Sequence, residues 1–355
     1  MNKSEIMNAV KKTYHIFTRV NFALHAARMV REKSYFSEKK RKGGVSRLLE
    51  NCEWALKYNE LNEFYNLYGF DTETVDQTNY SDYASFYYSR NAANCLGNPS
   101  SQIAVLRDKY LFYLFMSRLN LPVPKVFGVI LHGKLFDEHL EPMNSISLHD
   151  RKDYFIKSLD GECASFVRNV FDYDSFKQLL DSGVLNKDRF ILQEKVTQAN
   201  AMAAINPEAV NTYRIVTINK GDGSPYYFSG VLRVGTKATG NVDNWAAGGL
   251  SIGINCKTGY LKKYGFFKPA YGTKVDTHPD TGIRFSEFKA PMLEEAIRIA
   301  IDAHRHLFSI HSIGWDIAIT PKGPVFIEGN DNWEISLMQA CNGGLKKEWE
   351  EALSR

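Results

Sequence analysis

Gly314-Trp315-Asp316-Ile317-Ala318-Ile319-Thr320-Pro321-Lys322-Gly323-Pro324-Val325-Phe326-Ile327-Glu328-Gly329-Asn330 reads as a β-hairpin. Two alternating segments flank a Pro-Lys-Gly turn, and alternation at period two sorts side chains onto opposite faces of a strand. A three-residue loop pairs Thr320 with Pro324, Ile319 with Val325, Ile317 with Ile327 and Asp316 with Glu328. The aliphatic pairs then share one face and the two carboxylates the other, with Asn330 on the carboxylate side. Opposed acids repel unless a cation or a proton lies between them. Oxygen ligands from Asp, Glu and Asn suit Mg²⁺, which keeps waters and takes phosphate oxygens. An ordinary hairpin with a solvated polar side shows the same alternation, so the hairpin alone leaves both readings open.

Upstream lie short β-like runs at Val126 to Leu131, Asp153 to Lys157, Phe190 to Gln193, Tyr213 to Ile218, Tyr226 to Val234 and Leu250 to Ile254. A long helix is expected over Pro291 to Phe308, and an amphipathic one over Ile103 to Leu121, closed by Asn120 and Pro122-Val123-Pro124. Strands and helices without strict alternation indicate α+β. The first ~65 residues read as helices by apolar spacing, with a helix around Val45 to Leu61. Before it, Lys39-Lys40-Arg41-Lys42-Gly43-Gly44 reads as a solvated basic loop that could meet anionic lipid or glycan. Tyr80, Tyr83, Phe86, Tyr87 and Tyr88 fall at near-helical spacing and are expected to pack in a core or interface.

The 355 residues suffice for two or three subdomains, and 44% hydrophobic with 24% charged residues is ordinary for a folded chain. A net charge of +4 is too mild to argue for nucleic acid, and no nucleic-acid motif is present. Cys52, Cys95, Cys163, Cys256 and Cys341 show neither zinc-ligand nor redox spacing, which suggests reduced thiols in a cytoplasmic protein. Charges every few residues between Met1 and Val30 argue against a signal peptide. No apolar run is long enough to cross a bilayer, which leaves peripheral membrane contact open.

Glu328-Gly329-Asn330, with Asp316 as the preceding acid, resembles the last core strands of the ATP-grasp superfamily. Val242-Asp243-Asn244 with Gly248-Gly249, His278-Pro279-Asp280-Thr281-Gly282, and Gly314-Trp315-Asp316 resemble its sugar-transfer-associated branch, related to glutamate ligases. The resemblance covers roughly residues 100 to 345. It implies an ATP-grasp fold: a helical N-terminal region (1–98) before an ATP-grasp domain (99–355). Within that domain, 99–150 leads in, 151–196 clamps the nucleotide, and 197–355 carries metal and substrate.

The same resemblance assigns Mg²⁺ (or Mn²⁺) to Asp316, Glu328 and Asn330. It assigns ATP to Lys109, Lys157, Gly161 in a phosphate loop at Ser158 to Ser165, the hinge Gln193, Glu194, Lys195 and Val196, and Asp316 with Glu328. Only one glycine occupies that loop, where many relatives have several. Arg233, Arg214 and Lys157 take catalytic roles, because a planar guanidinium suits phosphate and carboxylate. Arg214, Asn241, Asn244, Gly248, Gly249 and His278 are expected near substrate. His278 is also a candidate base, although a structural loop histidine is the stronger expectation. The implied reaction activates a carboxylate as acyl phosphate for attack by an amine, joining an amino acid or amine to an acidic sugar or glycan precursor in polysaccharide biosynthesis. A kinase-like phosphotransferase and a non-catalytic ATP-binding scaffold are the alternatives.

Overall fold

The computed structural model describes residues 21–22, 24–58, 60–73, 81–94, 100–150, 153–159, 167–219, 224–240 and 242–354. Its centre is a seven-stranded antiparallel sheet ordered β10-β9-β8-β7-β6-β11-β12. The strands are β6 (Thr212–Asn219), β7 (Pro225–Val234), β8 (Leu250–Ile254), β9 (Leu261–Phe267), β10 (Lys274–Val275), β11 (Ser312–Thr320) and β12 (Gly323–Asn330). A smaller five-stranded antiparallel sheet, ordered β2-β1-β5-β3-β4, joins β1 (Val126–Leu131), β2 (Lys134–Phe136), β3 (Tyr154–Ser158), β4 (Val167–Val170) and β5 (Arg189–Glu194). The fold is α+β, as the unalternating order of elements predicts. β1 and β2 fall inside residues 99–150, yet they hydrogen-bond into the same sheet as β3 to β5.

Expected strands recur within one or two residues. β4, β9 and helix Tyr173–Asp181 were not anticipated, being short or interrupted by lysines. The single helix expected over Ile103 to Leu121 is two, Ser100–Arg107 and Lys109–Arg118. Asp108 breaks it: its carboxylate accepts from the N–H groups of Tyr110 and Leu111, capping the second helix.

The hairpin loop is tighter than expected. Thr320 pairs with Gly323, Ile319 with Pro324 and Ile317 with Phe326, around a two-residue turn. A bulge between Asp316 and Ile317 absorbs the offset, and Asp316 still faces Glu328.

Both faces of the large sheet are covered, so all eight residues of β6 are buried. Helix Leu293–His306 packs on one face with Tyr213, Ile215, Leu232, Trp315 and Ile317. On the other face Trp54, Tyr65, Phe70 and Phe86 from the N-terminal region share a core with Val216, Ile218, Val231, Trp333 and Trp349. Phe86 stacks on Trp349 at 5.0 Å, while Tyr87 and Tyr88 are exposed and Tyr80 lies outside the described residues. The basic loop is neutralised within the chain: Arg41 pairs with Asp71 (2.9 Å), Lys42 with Glu50 (2.9 Å) and Lys40 with Glu73 (3.0 Å). Among the described residues no helix is long and apolar enough to cross a membrane. Cys52, Cys256 and Cys341 are free thiols; Cys95 and Cys163 lie outside the described residues.

Candidate active site

Alternation along β6, β7 and β11 places Arg214, Arg233 and Asp316 on one sheet face, away from the core under helix Leu293–His306. Asp316 lies directly opposite Arg214 on one side and Glu328 on the other. Both Asp316 oxygens accept from guanidinium: Arg214 Nε and Nη2 (the latter 2.9 Å), and Arg233 Nη1 at 2.7 Å. Arg233 also donates to Asp243 at 3.0 Å, and Asp243 accepts from the backbone N–H of Thr212 at 3.0 Å and from its hydroxyl. Arg214, Arg233, Asp243 and Asp316 are all buried.

Burial alone would raise the Asp316 pKa. Arg214 and Arg233 outweigh it and hold the carboxyl well below the usual carboxylate range. For Glu328, burial and the neighbouring charge of Asp316 push the pKa up, and a hydrogen bond between the two carboxyls adds to this. Arg233 stays cationic, since Asp243 and Asp316 outweigh its burial. Asn330 Nδ2 lies 3.4 Å from both Glu328 Oε1 and the Gly314 carbonyl. Between Glu328 and Asn330 the backbone is closely packed: a Cβ at Gly329 would lie 2.8 Å from the Leu106 side chain and 3.1 Å from the Trp315 ring.

Lys157 comes from β3 of the small sheet. Tyr154 and Ile156 turn into that sheet's core, so Lys157 takes the other face. Burial lowers its pKa to about 8; Glu328 opposes that shift and Lys109 adds to it, so both lie within electrostatic reach. Lys109 opens its helix, with its backbone N–H on the Leu159 carbonyl at 3.1 Å. The hinge residues Gln193, Glu194, Lys195 and Val196 end β5 and leave the small sheet; Gln193 is buried, and Glu194 Oε2 accepts from Lys125 N–H at 3.3 Å. Lys195 Nζ is 3.7 Å from Asp153. Gly161 with its loop, and Asn241, lie outside the described residues.

These contacts place three groups of expected site residues. Arg214 and Arg233, expected on substrate and phosphate, neutralise Asp316 from within the sheet, because a buried carboxylate needs hydrogen-bonded counter-charge. Asn244, Gly248 and Gly249, expected at substrate, build the turn that carries Asp243. Asn244 caps it through Ala246 N–H, Gly248 has φ 104°, and a Cβ at Gly249 would meet the Asp243 carbonyl at 2.8 Å. His278, expected near substrate and more strongly as a structural loop histidine than as a base, is buried with both ring nitrogens engaged. Its Nε2 donates to the Gly235 carbonyl (2.9 Å), and Nδ1 accepts from Asp280 and Thr281 N–H (3.3 Å each). Replacing His278 with alanine is expected to cost about 1–3 kcal/mol by leaving these groups unpaired, read as a lower urea midpoint.

Asp243 and Asp331 were not singled out. Two arginines in buried strands call for a second acid, and Val242-Asp243-Asn244 supplied that signal. Asp331 takes a two-pronged pair from Arg107 (2.6 and 3.0 Å), fixing the end of β12. Among the described residues, no group of three or more His, Cys, Asp or Glu side chains forms a ready metal cluster.

Residues 172–352 match the family model described as sugar-transfer associated ATP-grasp. No curated protein matches the chain. Solved structures similar to it include the ATP-grasp ligase PsnB complexed with minimal precursor, Mg and ADP (13% identity, 73% of this chain, 62% of that one, TM-score 0.41). Others are the biotin carboxylase domain of Hydrogenobacter thermophilus 2-oxoglutarate carboxylase with ADP and bicarbonate (10%, 71% and 46%, TM-score 0.42) and the D-alanine-D-alanine ligase of Coxiella burnetii (15%, 71% and 53%, TM-score 0.39). The chain spans less than two thirds of the length of each. With just over half of its length matched by the family model, this chain belongs to the sugar-transfer associated ATP-grasp family.

Proposed function

We propose that the protein is an ATP-dependent carboxylate–amine ligase that works through an acyl phosphate. One observation carries the reading: Lys157 of the small sheet lies within electrostatic reach of Glu328, which the large sheet sets opposite Asp316. A cation from one sheet beside an opposed acid pair on the other is an arrangement for holding a polyphosphate with its metal. ATP with Mg²⁺, or Mn²⁺ in its place, is the cofactor pair of this reading, and the relative PsnB was captured with Mg and ADP.

The donor set fits a hard divalent cation. Burial and the adjacent Asp316 charge raise the proton affinity of Glu328, a cost that a bound cation would relieve, and Asn330 lies beside it. Asp316 already receives two guanidiniums, so Glu328 and Asn330 lead as direct ligands and Asp316 completes the set from behind. Mg²⁺ bound there would supply charge neutralisation on the phosphates. Lys157 and Lys109 hold phosphate oxygens, the Gln193 to Val196 hinge receives adenine, and Arg214 with Arg233 keeps the acid pair ionised and oriented. Phosphoryl transfer depends mainly on such positioning and charge.

The substrates in this reading are an acidic sugar or glycan carboxylate and an amine or amino acid, in cytoplasmic polysaccharide biosynthesis. Residues 1–98 act as an N-terminal unit docked on the large sheet, ahead of the 99–355 ATP-grasp domain. Release of ADP and phosphate is measured while uronic acids and amines are supplied singly and together. Release of both that requires acid and amine supports the ligase; ADP release with the acid alone, without matching phosphate, supports a phosphotransferase instead.

Lys157 makes the reading pH-sensitive. Its folded pKa of about 8 lies below the ordinary 10.5, so the free protein loses this cation as pH rises through 8. kcat/KM should fall above about pH 8, while kcat holds to higher pH because bound phosphate restores the charge. A pH–rate series with Lys157→Arg as comparison checks this, the arginine variant losing the alkaline fall. Stability moves the other way. The unfolded chain binds more protons between 8 and 10.5, so this lysine's contribution to stability rises with pH across that window.

A further inference from the structure

Between the N-terminal region and helix Ile335–Asn342 lies a cavity of about 370 Å³, within the size range of small-molecule sites. Trp333 forms part of its wall. The same side chain packs beside Gly314, where a Cβ would lie 2.5 Å from Trp333 and 3.3 Å from Arg214. Trp333 follows Asn330, the last residue of β12, by three residues, so it links the cavity wall to the end of that strand.

The lining is aromatic and acidic: Phe64 and Tyr87 with Glu60, Glu63 and Glu334. Among the described lining residues the one cationic side chain, Arg90, is buried and already engaged. It donates to the Trp333 carbonyl and Asn332 Oδ1, and lies 4.9 Å from the Tyr87 ring centre. Among the described residues, three carboxylates therefore border the space against one internally satisfied guanidinium, and Glu334 also caps helix Ile335–Asn342, its Oε1 accepting from the Ser336 N–H (3.0 Å) and hydroxyl (2.6 Å). Glu60 is half-buried; burial raises its pKa although the Ser85 N–H donates to it at 3.0 Å. Lys346 acts on Glu60 from further off, with its Nζ 5.4 Å from the Tyr58 ring and 3.8 Å from Glu350. Asn62, 5% exposed, also lines the cavity, and its Nδ2 has no hydrogen-bond partner among the described residues. Carboxylates beside aromatic faces favour an ammonium group, and an unmet amide donor favours an oxygen next to it.

We propose that this cavity binds the amine co-substrate, its ammonium group held by Glu60, Glu63 and Glu334 and its skeleton packed on Phe64 and Tyr87. The role as co-substrate site rests on the ligase reading; the binding does not. The test is calorimetric titration of the full chain, without nucleotide, with glucosamine, L-alaninamide and putrescine. Each is run against its N-acetyl counterpart, and glucuronate serves as the anionic control. At least one amine should bind, its acetylated form about tenfold or more weaker, and Glu60→Gln should weaken it by about tenfold. Tyr87→Ala, at an exposed ring, should weaken binding too and serves if the Glu60 variant does not fold. ADP affinity should stay unchanged in both. Failure of every amine to bind at millimolar concentration, equal binding of the acetylated forms, or tighter binding of glucuronate overturns the assignment. Phosphate release that ignores amines would sink the ligase reading and leave a positive binding result standing.

Discussion

Glu328→Gln should lower ATP turnover by about 100-fold or more while leaving the protein at least as stable as the parent. The two effects have one cause. Glu328 faces Asp316 across the strand pair, and burial with that neighbouring charge raises its pKa. An acid whose folded pKa is raised binds more protons folded than unfolded, so its ionisation removes stability as pH rises through the carboxylate range. Glutamine keeps the shape and removes the charge, relieving that cost while weakening metal and phosphate binding. Turnover of Mg-ATP and the thermal midpoint are measured on the same preparations. A Glu328→Gln variant that turns over normally would remove this residue from the metal site. One that loses activity and stability together would make Glu328 a structural residue.

Asp316→Ala should cost about 3–5 kcal/mol, the largest effect on stability among these substitutions. Arg214 and Arg233 both donate to this carboxylate from buried positions, and Arg233 also donates to a second acid, Asp243. Removing the acid leaves guanidinium charge buried without its main partner. Arg214→Met combined with Asp316→Ala should recover part of the loss, because the two effects are not additive. The sign with pH follows from the depressed pKa. The Asp316 contribution is complete above the ordinary carboxylate value of 3.8 and is lost as pH falls below it through the folded pKa. Urea midpoints for the single and double variants at pH 7 and at about pH 2.5, inside that window, measure both points. A double variant no more stable than Asp316→Ala would show that the arginines find other partners.

The opposition of Asp316 to Glu328 was legible in one stretch of sequence because alternation and a turn between alternating segments are local properties. The read register was off by one at the turn, and the bulge that brings the acids back into line leaves no mark in the apolar pattern. Local chemistry likewise placed β1, β8 and the Leu293–His306 helix within a residue or two. The break at Asp108 was also local, and was passed over because the apolar period continues across it.

Strand order decided the rest. Arg214 and Arg233 read as alternating cations suited to a ligand. Which acid they meet depends on β6 lying between β7 and β11, a pairing of segments about a hundred residues apart. His278 read as a loop histidine with two possible fates; its own loop engages Nδ1, and the approach of Gly235, just past β7, gives Nε2 its partner. The N-terminal region read as separate helices because amphipathic spacing shows that a face must be buried without showing against what. The tertiary structure lays that region on the large sheet, with Trp54 and Phe86 in one core with Val231 and Trp349. Sequence periodicity thus determined which side chains share a face, while partner identity, and so charge balance, came from contacts between distant segments.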